Sequence, residues 1–208
     1  MKLSSPFVIT INRQLGSGGA HVGQKLAERL GIHYVDREII DQAAKKLSVL
    51  VEDVQSHEER IGSFWQKYMR SFAVGSPEVY LPPQIIIPTD RELFEAESDI
   101  IKRIANENSA VIIGRCGCYV LDKHPNRLSL YFHSNRAFRI ERVMKMYNVT
   151  ESEAEKMIDR SDKERAQYYK TFTGREWVDA RQYDMAIDTG KMGLDNTVEY
   201  ILNFLMIE

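Results

Sequence analysis

A chain of 208 residues with 43% hydrophobic content is long enough to bury a sizeable core, and its size fits one domain carrying an insertion. Its 28 Lys and Arg against 30 Asp and Glu leave a net charge of -2, which gives no global attraction to nucleic acid or to an acidic membrane, so any anion site has to be local. No apolar run approaches the roughly eighteen residues that span a bilayer and MKLSSPFVIT lacks a signal-peptide pattern, so a cytoplasmic protein is expected, with neither nucleic acid nor membrane as partner.

Phe7 to Ile11 is a short apolar, β-branched run that reads as a strand. A glycine cluster, Gly16 to Gly19, follows, and AHVGQKLAERLG then places Val22, Leu26 and Leu30 at helical spacing with Gly31 as the stop. A second short strand, Ile32 to Val35, ends at Asp36 and Arg37. From Asp41 to Thr89 the alternation breaks: a helical pattern through HEERIGSFWQKYMRSF leads into AVGSPEVYLPPQIIIPT, which holds four of the six prolines. This segment reads as an insertion. Its apolar cluster of Val79, Tyr80, Leu81, Ile85, Ile86 and Ile87 gains by burial, over a substrate or against a second copy of the chain in a homo-oligomer.

Thr89 to Glu92 and Thr150 to Glu153 both fit the capping box that starts a helix, and Asp195 is an expected N-cap for a last helix with Val198, Ile201, Leu202 and Leu205 on its apolar face. Ala110 to Gly114, Leu128 to Phe132 and Tyr183 to Asp188 read as further strands. Strands alternating with helices predict an α/β fold whose parallel sheet is covered on both faces. Cys116 and Cys118, the only cysteines, match neither a zinc pattern nor a disulfide framework. Buried fillers are favoured over a reactive thiol at a helix start. The histidines show no metal-ligand spacing.

The strand, glycine turn and helix suit an anion, because glycines let backbone amides approach oxygens and the helix start adds partial positive charge. The P-loop pattern G-x-x-x-x-G-K-[ST] is incomplete here: Gly19 stands where the lysine belongs and His21 where Ser or Thr belongs. A dinucleotide fingerprint would need glycine at His21, although Asp36 supplies its acidic residue and keeps that reading open. A plain tight connection needs fewer glycines, which favours anion binding. Phosphoryl transfer requires a fixed cation facing the phosphates. Arg13, at the end of the first strand, is the nearest. Arg160, Lys163, Gln167 and Lys170 fall on one helical face with Arg165 on another, and with Asp159, Asp162 and Glu164 nearby the sequence alone favours a solvated charged face.

The run ITINRQLGSGGAHVGQKLAERLGIHYVDREII resembles the opening of the cytidylate kinase-like family, relatives of nucleoside monophosphate kinases. The likeness continues in VIIGRCGCYVL and in RAQYYKTFTGREWVDARQYDMAIDTGKMG. It implies a P-loop NTPase fold, a three-layer α/β/α sandwich around a parallel sheet of about five strands, with an acceptor-binding insertion over 41–89 and a lid over about 150–175. It further implies Gly16, Ser17, Gly18, Gly19, Ala20 and His21 around the nucleotide phosphates. On the resemblance Arg160, Lys163 and Arg165 of the lid become catalytic cations beside Arg13, the catalytic cation that position nominates, and Asp36, Arg37, Arg91 and Arg115 face the acceptor. Magnesium is expected with ATP, and Ser17 is the candidate ligand. Cytidylate kinases proper carry a loop lysine, a following threonine and an acidic residue after Gly-Arg, where this chain has Gly19, His21 and Cys116. Two functions are therefore expected: a kinase acting on a nucleoside monophosphate or similar small phosphorylated acceptor, or a nucleotide-sensing module without turnover.

Overall fold

The computed structural model describes residues 6–36 and 88–207. Arg37 and nearly all of the expected insertion lie outside the described residues. Five strands form one parallel sheet: β1 (Val8–Arg13), β2 (His33–Val35), β3 (Ala110–Ile113), β4 (Arg127–His133) and β5 (Met185–Asp188), in the order β2-β3-β1-β4-β5. This is the doubly covered parallel sheet that the apolar runs predicted. β1 lies at its centre, with Ile11 beside Ile113 on one side and Arg13 beside Phe132 on the other. It runs two residues beyond the expected strand, so Arg13 is part of the sheet.

Alternation along the strands sends side chains to two faces. Ile9, Ile11, Val111, Ile113, Leu130 and Phe132 pack against Val22 and Leu26 of α1 (Gly19–Leu30) and against Val198, Ile201 and Leu205 of the last helix. On the opposite face Val8, Ala110 and Ile112 meet Ile100, Ile101 and Ile104 of α2 (Pro88–Glu107). α1 ends as predicted, with Gly31 in the left-handed region and its amide turned back to the carbonyls of Ala27 and Glu28.

Two helix starts differ from expectation. α2 begins at Pro88, ahead of the expected Thr89 cap, because proline needs no amide partner in a first turn. α7 (Leu194–Ile207) takes Asp195 into its first turn. Before it, Asp188 caps the single turn α6 (Thr189–Met192), its Oδ1 accepting from the amides of Gly190 and Lys191 at 3.1 and 3.2 Å.

Between β3 and β5 lie the single turn α3 (Gly117–Val120), then α4 (Arg136–Tyr147), capped by Asn135, and α5 (Glu151–Thr173). The Thr150–Glu153 capping box forms as read. α5 is held more firmly than its charge-rich sequence suggests. Ala154, Ile158, Ser161 and Tyr169 are buried, and the first two join Leu15, Ile140 and Val143 in one apolar cluster. No helix among the described residues is long and apolar enough to cross a membrane.

Candidate phosphate-transfer site

The chain leaves β1 at Arg13, turns through residues 14–18 and enters α1 at Gly19. Within the turn, the amide and hydroxyl of Ser17 donate to the Gln14 carbonyl at 3.2 and 2.9 Å, and the Ser17 carbonyl accepts from Thr189 at 2.6 Å. Ser17 is fully buried, so its hydroxyl is committed inside the loop. Gly16 has a φ of 80°, and a Cβ there would lie 2.7 Å from the Arg139 carbonyl oxygen. No other residue fits both demands. The amides at the start of α1 have no partners within the helix, and together with its dipole they make this end suited to an anion. Ala20 is buried and His21 half-buried in that first turn.

Gly19 is required for a different reason. It is not among the residues with positive φ, but a Cβ would lie 2.6 Å from the Arg13 Cβ and 3.0 Å from Phe132. A lysine at this position is therefore excluded by β1 itself. Gly19→Ala is expected to cost about 1–3 kcal/mol through overpacking, measured by chemical denaturation. Adding Arg13→Ala should give no relief, because the opposing Cβ remains.

From that contact the Arg13 side chain runs across Gly114, where a Cβ would lie 2.7 Å from its Nη1, and reaches Asp36 with Nη2 3.9 Å from Oδ2. Its Nε is buried with no hydrogen-bond partner among the described residues. The guanidinium thus stands at the carboxyl ends of β1, β3 and β2, beside the loop rather than over it.

β3 ends in an unusual turn: Gly114, Arg115 and Cys116 are all left-handed, with φ of 71°, 49° and 54°. Each non-glycine residue there costs about 1 kcal/mol or more. The turn is fixed by the Gly117 amide on the Gly114 carbonyl at 2.9 Å and by Arg115, whose Nε is 3.4 Å from Glu97 Oε1. Glu97 is only 1% exposed and also accepts from the Tyr168 hydroxyl of α5 at 3.0 Å.

Cys116 and Cys118 are free and buried, as the filler reading expected. Burial pushes both thiols above their ordinary pKa, Cys116 well above it, although Cys116 stands at a helix start. Neither should react with iodoacetamide at neutral pH until the protein unfolds, as mass spectrometry would show.

Of the three expected cations on α5, only Arg165 is brought to the loop: its Nη1 donates to the Arg13 carbonyl at 2.8 Å. Arg160 is exposed and bonded to Glu164, Lys163 is exposed, and Arg91 on α2 is exposed beside Glu95. Four residues without a sequence signal belong to the site's surroundings: Glu97, Tyr168, Arg139 and Asp162. No cluster of three metal-ligating His, Cys, Asp or Glu occurs among the described residues. The arrangement offers backbone amides on one side and guanidinium groups on the other, which is suited to holding phosphate oxygens from two directions.

The model of the cytidylate kinase-like family matches residues 8–191. A cytidylate kinase from Pyrococcus furiosus is 27% identical over 189 residues, covering 90% of this chain and 82% of that protein. The crystal structure of an uncharacterized protein from Eubacterium ventriosum is similar with a TM-score of 0.72 and 26% identity, over 97% of this chain and 99% of the other. Shikimate kinase from Bacteroides thetaiotaomicron, at 12% identity and TM-score 0.52 over 96% and 98% of the two chains, shares the fold. The sheet order, the lysine-free glycine loop after β1, and a family match that takes in every strand lead to one conclusion: this chain belongs to the cytidylate kinase-like family.

Proposed function

We propose that this protein is an ATP-dependent phosphotransferase that moves the γ-phosphoryl group to a nucleoside monophosphate, cytidylate-like, or to a similar small phosphorylated acceptor. The observation that carries this reading is the placement of Arg13 and Arg115 at the carboxyl ends of the neighbouring strands β1 and β3, with Arg13 against the glycine loop. Ligands of open α/β sheets bind at such ends. A module that only senses a nucleotide needs the loop but has no use for a second cationic group on the acceptor side.

In this reading the amides of Gly16 to His21 cradle the nucleotide phosphates. Arg13 faces the group in transfer, Arg165 braces the Arg13 backbone, and Arg115 takes the acceptor phosphate. Asp36 aims Arg13, and Arg37 adds to the acceptor side. Arg160 and Lys163 are exposed here and act only if α5 closes further over the phosphates. Magnesium would come with ATP, held mainly by phosphate oxygens and water; the Ser17 hydroxyl donates its hydrogen to the Gln14 carbonyl, which leaves its oxygen lone pairs for the metal. The relative named cytidylate kinase supports a pyrimidine acceptor, while Cys116 after Gly-Arg leaves the base side without an acidic partner at that position.

The test is ADP formation from Mg-ATP across a panel of nucleoside monophosphates, with nucleotide binding followed in parallel by thermal shift. Turnover on at least one acceptor is expected. Binding of Mg-ATP without turnover on any of them would favour the sensing module.

A further inference from the structure

We infer that Arg139 and Asp162 form a clamp on the Leu15 peptide that sets the conformation of the phosphate loop, making both positioning residues for nucleotide binding. The inference rests on the proposed nucleotide role of that loop. Asp162 Oδ1 accepts from the Leu15 amide at 3.1 Å, and Asp162 Oδ2 accepts from Arg139 Nη2 at 2.5 Å. Arg139 Nε closes the ring by donating to the Leu15 carbonyl at 2.7 Å. Both polar groups of one peptide residue are thus held by an ion pair contributed by two different helices, α4 and α5.

The surroundings make the clamp stiff. Arg139 is 6% exposed, so its bonds are made in a poorly solvated place where charge-assisted bonds are strong and geometry is well defined. The Leu15 side chain, 1% exposed, plugs into the cluster of Ile140, Val143, Ala154 and Ile158 directly behind the loop. The next residue is Gly16, whose missing side chain admits the Arg139 backbone. The clamp therefore fixes the last peptide before the left-handed glycines, and a small shift there redirects every amide that follows. A change of about 1 Å in such a cradle can cost on the order of a hundredfold.

A structural ion pair alone would stabilise the fold and nothing more, so the variants have to separate stability from loop geometry. Arg139→Lys keeps the charge but cannot serve Leu15 and Asp162 at once; Asp162→Asn keeps an acceptor for the Leu15 amide but loses the charge. The double variant Arg139→Met with Asp162→Leu removes both charges and replaces them with apolar volume, which often recovers the stability of a buried pair.

Three quantities are measured on each full-length variant: Tm, the Kd of Mg-ATP by calorimetry, and hydrogen exchange of the amides from Leu15 to Gly18 in the ligand-free protein. Both single variants are expected to weaken Mg-ATP about tenfold or more and to speed Leu15 exchange, while the KM of the acceptor stays within about twofold. The double variant should regain Tm but not Mg-ATP affinity or Leu15 protection. Wild-type affinity in the double variant, or unchanged Leu15 exchange in all three, overturns the clamp. Should the wild-type protein itself fail to bind Mg-ATP, the nucleotide reading fails, and the exchange of the loop amides still decides for or against the clamp.

Discussion

Replacing Arg13 with alanine is expected to lower turnover by about 10³-fold or more, while Mg-ATP binding weakens far less. The magnitude follows from what one guanidinium aimed at a transferring phosphoryl group contributes, about 10³ to 10⁵ in rate. The sparing of nucleotide binding follows from geometry: the loop amides and the start of α1 remain, and Arg165 still reaches the backbone carbonyl of residue 13. Arg13→Lys should recover only part of the loss. A lysine can follow the same course past Gly19, but its single ammonium cannot reach across Gly114 and face Asp36 and a phosphate as a fork does. Steady-state kinetics with circular dichroism as a fold control would check both variants. Near-normal turnover in Arg13→Ala would mean that the missing lysine is replaced elsewhere.

Arg115→Ala should raise the acceptor KM by about 10- to 100-fold, the equivalent of one charge-assisted hydrogen bond of about 1.5–3 kcal/mol. It should also destabilise the protein, because it takes away the cation beside Glu97, a carboxylate that is 1% exposed. Breaking a buried pair from one side costs up to about 3–5 kcal/mol. The two effects separate in the double variant Arg115→Ala with Glu97→Gln, in which the charge left behind is neutralised and the Tyr168 hydrogen bond retains an acceptor. Stability should largely return while the acceptor KM stays high. If the KM returns with stability, Arg115 has a structural role only.

The sheet was legible in the sequence because its strands are near-continuous apolar runs between punctuating residues, the pattern that burial on both faces imposes. Gly31 and the Thr150–Glu153 box marked helix ends for equally local reasons. The glycine loop was legible as a tight turn between a strand and a helix, yet the reason for Gly19 was not: it depends on Arg13 crossing beneath it, a contact between a strand and the following helix that spacing cannot reveal. The left-handed Arg115 and Cys116 likewise carry no local signature, since such strain is held by surroundings distant in sequence, such as Glu97. Which face of α5 is buried was hidden for a related reason. Its charges suggested a solvated face, but Asp162 and Arg165 point inward to the loop and Tyr168 to Glu97, and only the fold determines which residues of a charged helix are buried.

The central claim is that a loop without its lysine still supports transfer to a phosphorylated acceptor. The most direct measurement follows ATP labelled in its γ-phosphate, incubated with the protein, magnesium and CMP, with the products separated by chromatography. The account predicts that label appears in the β-phosphate of CDP, or of another nucleoside diphosphate when the panel reveals a better acceptor, and that Arg13→Ala abolishes most of it. Label found only in inorganic phosphate, or retained entirely in bound ATP across the whole panel, would contradict it.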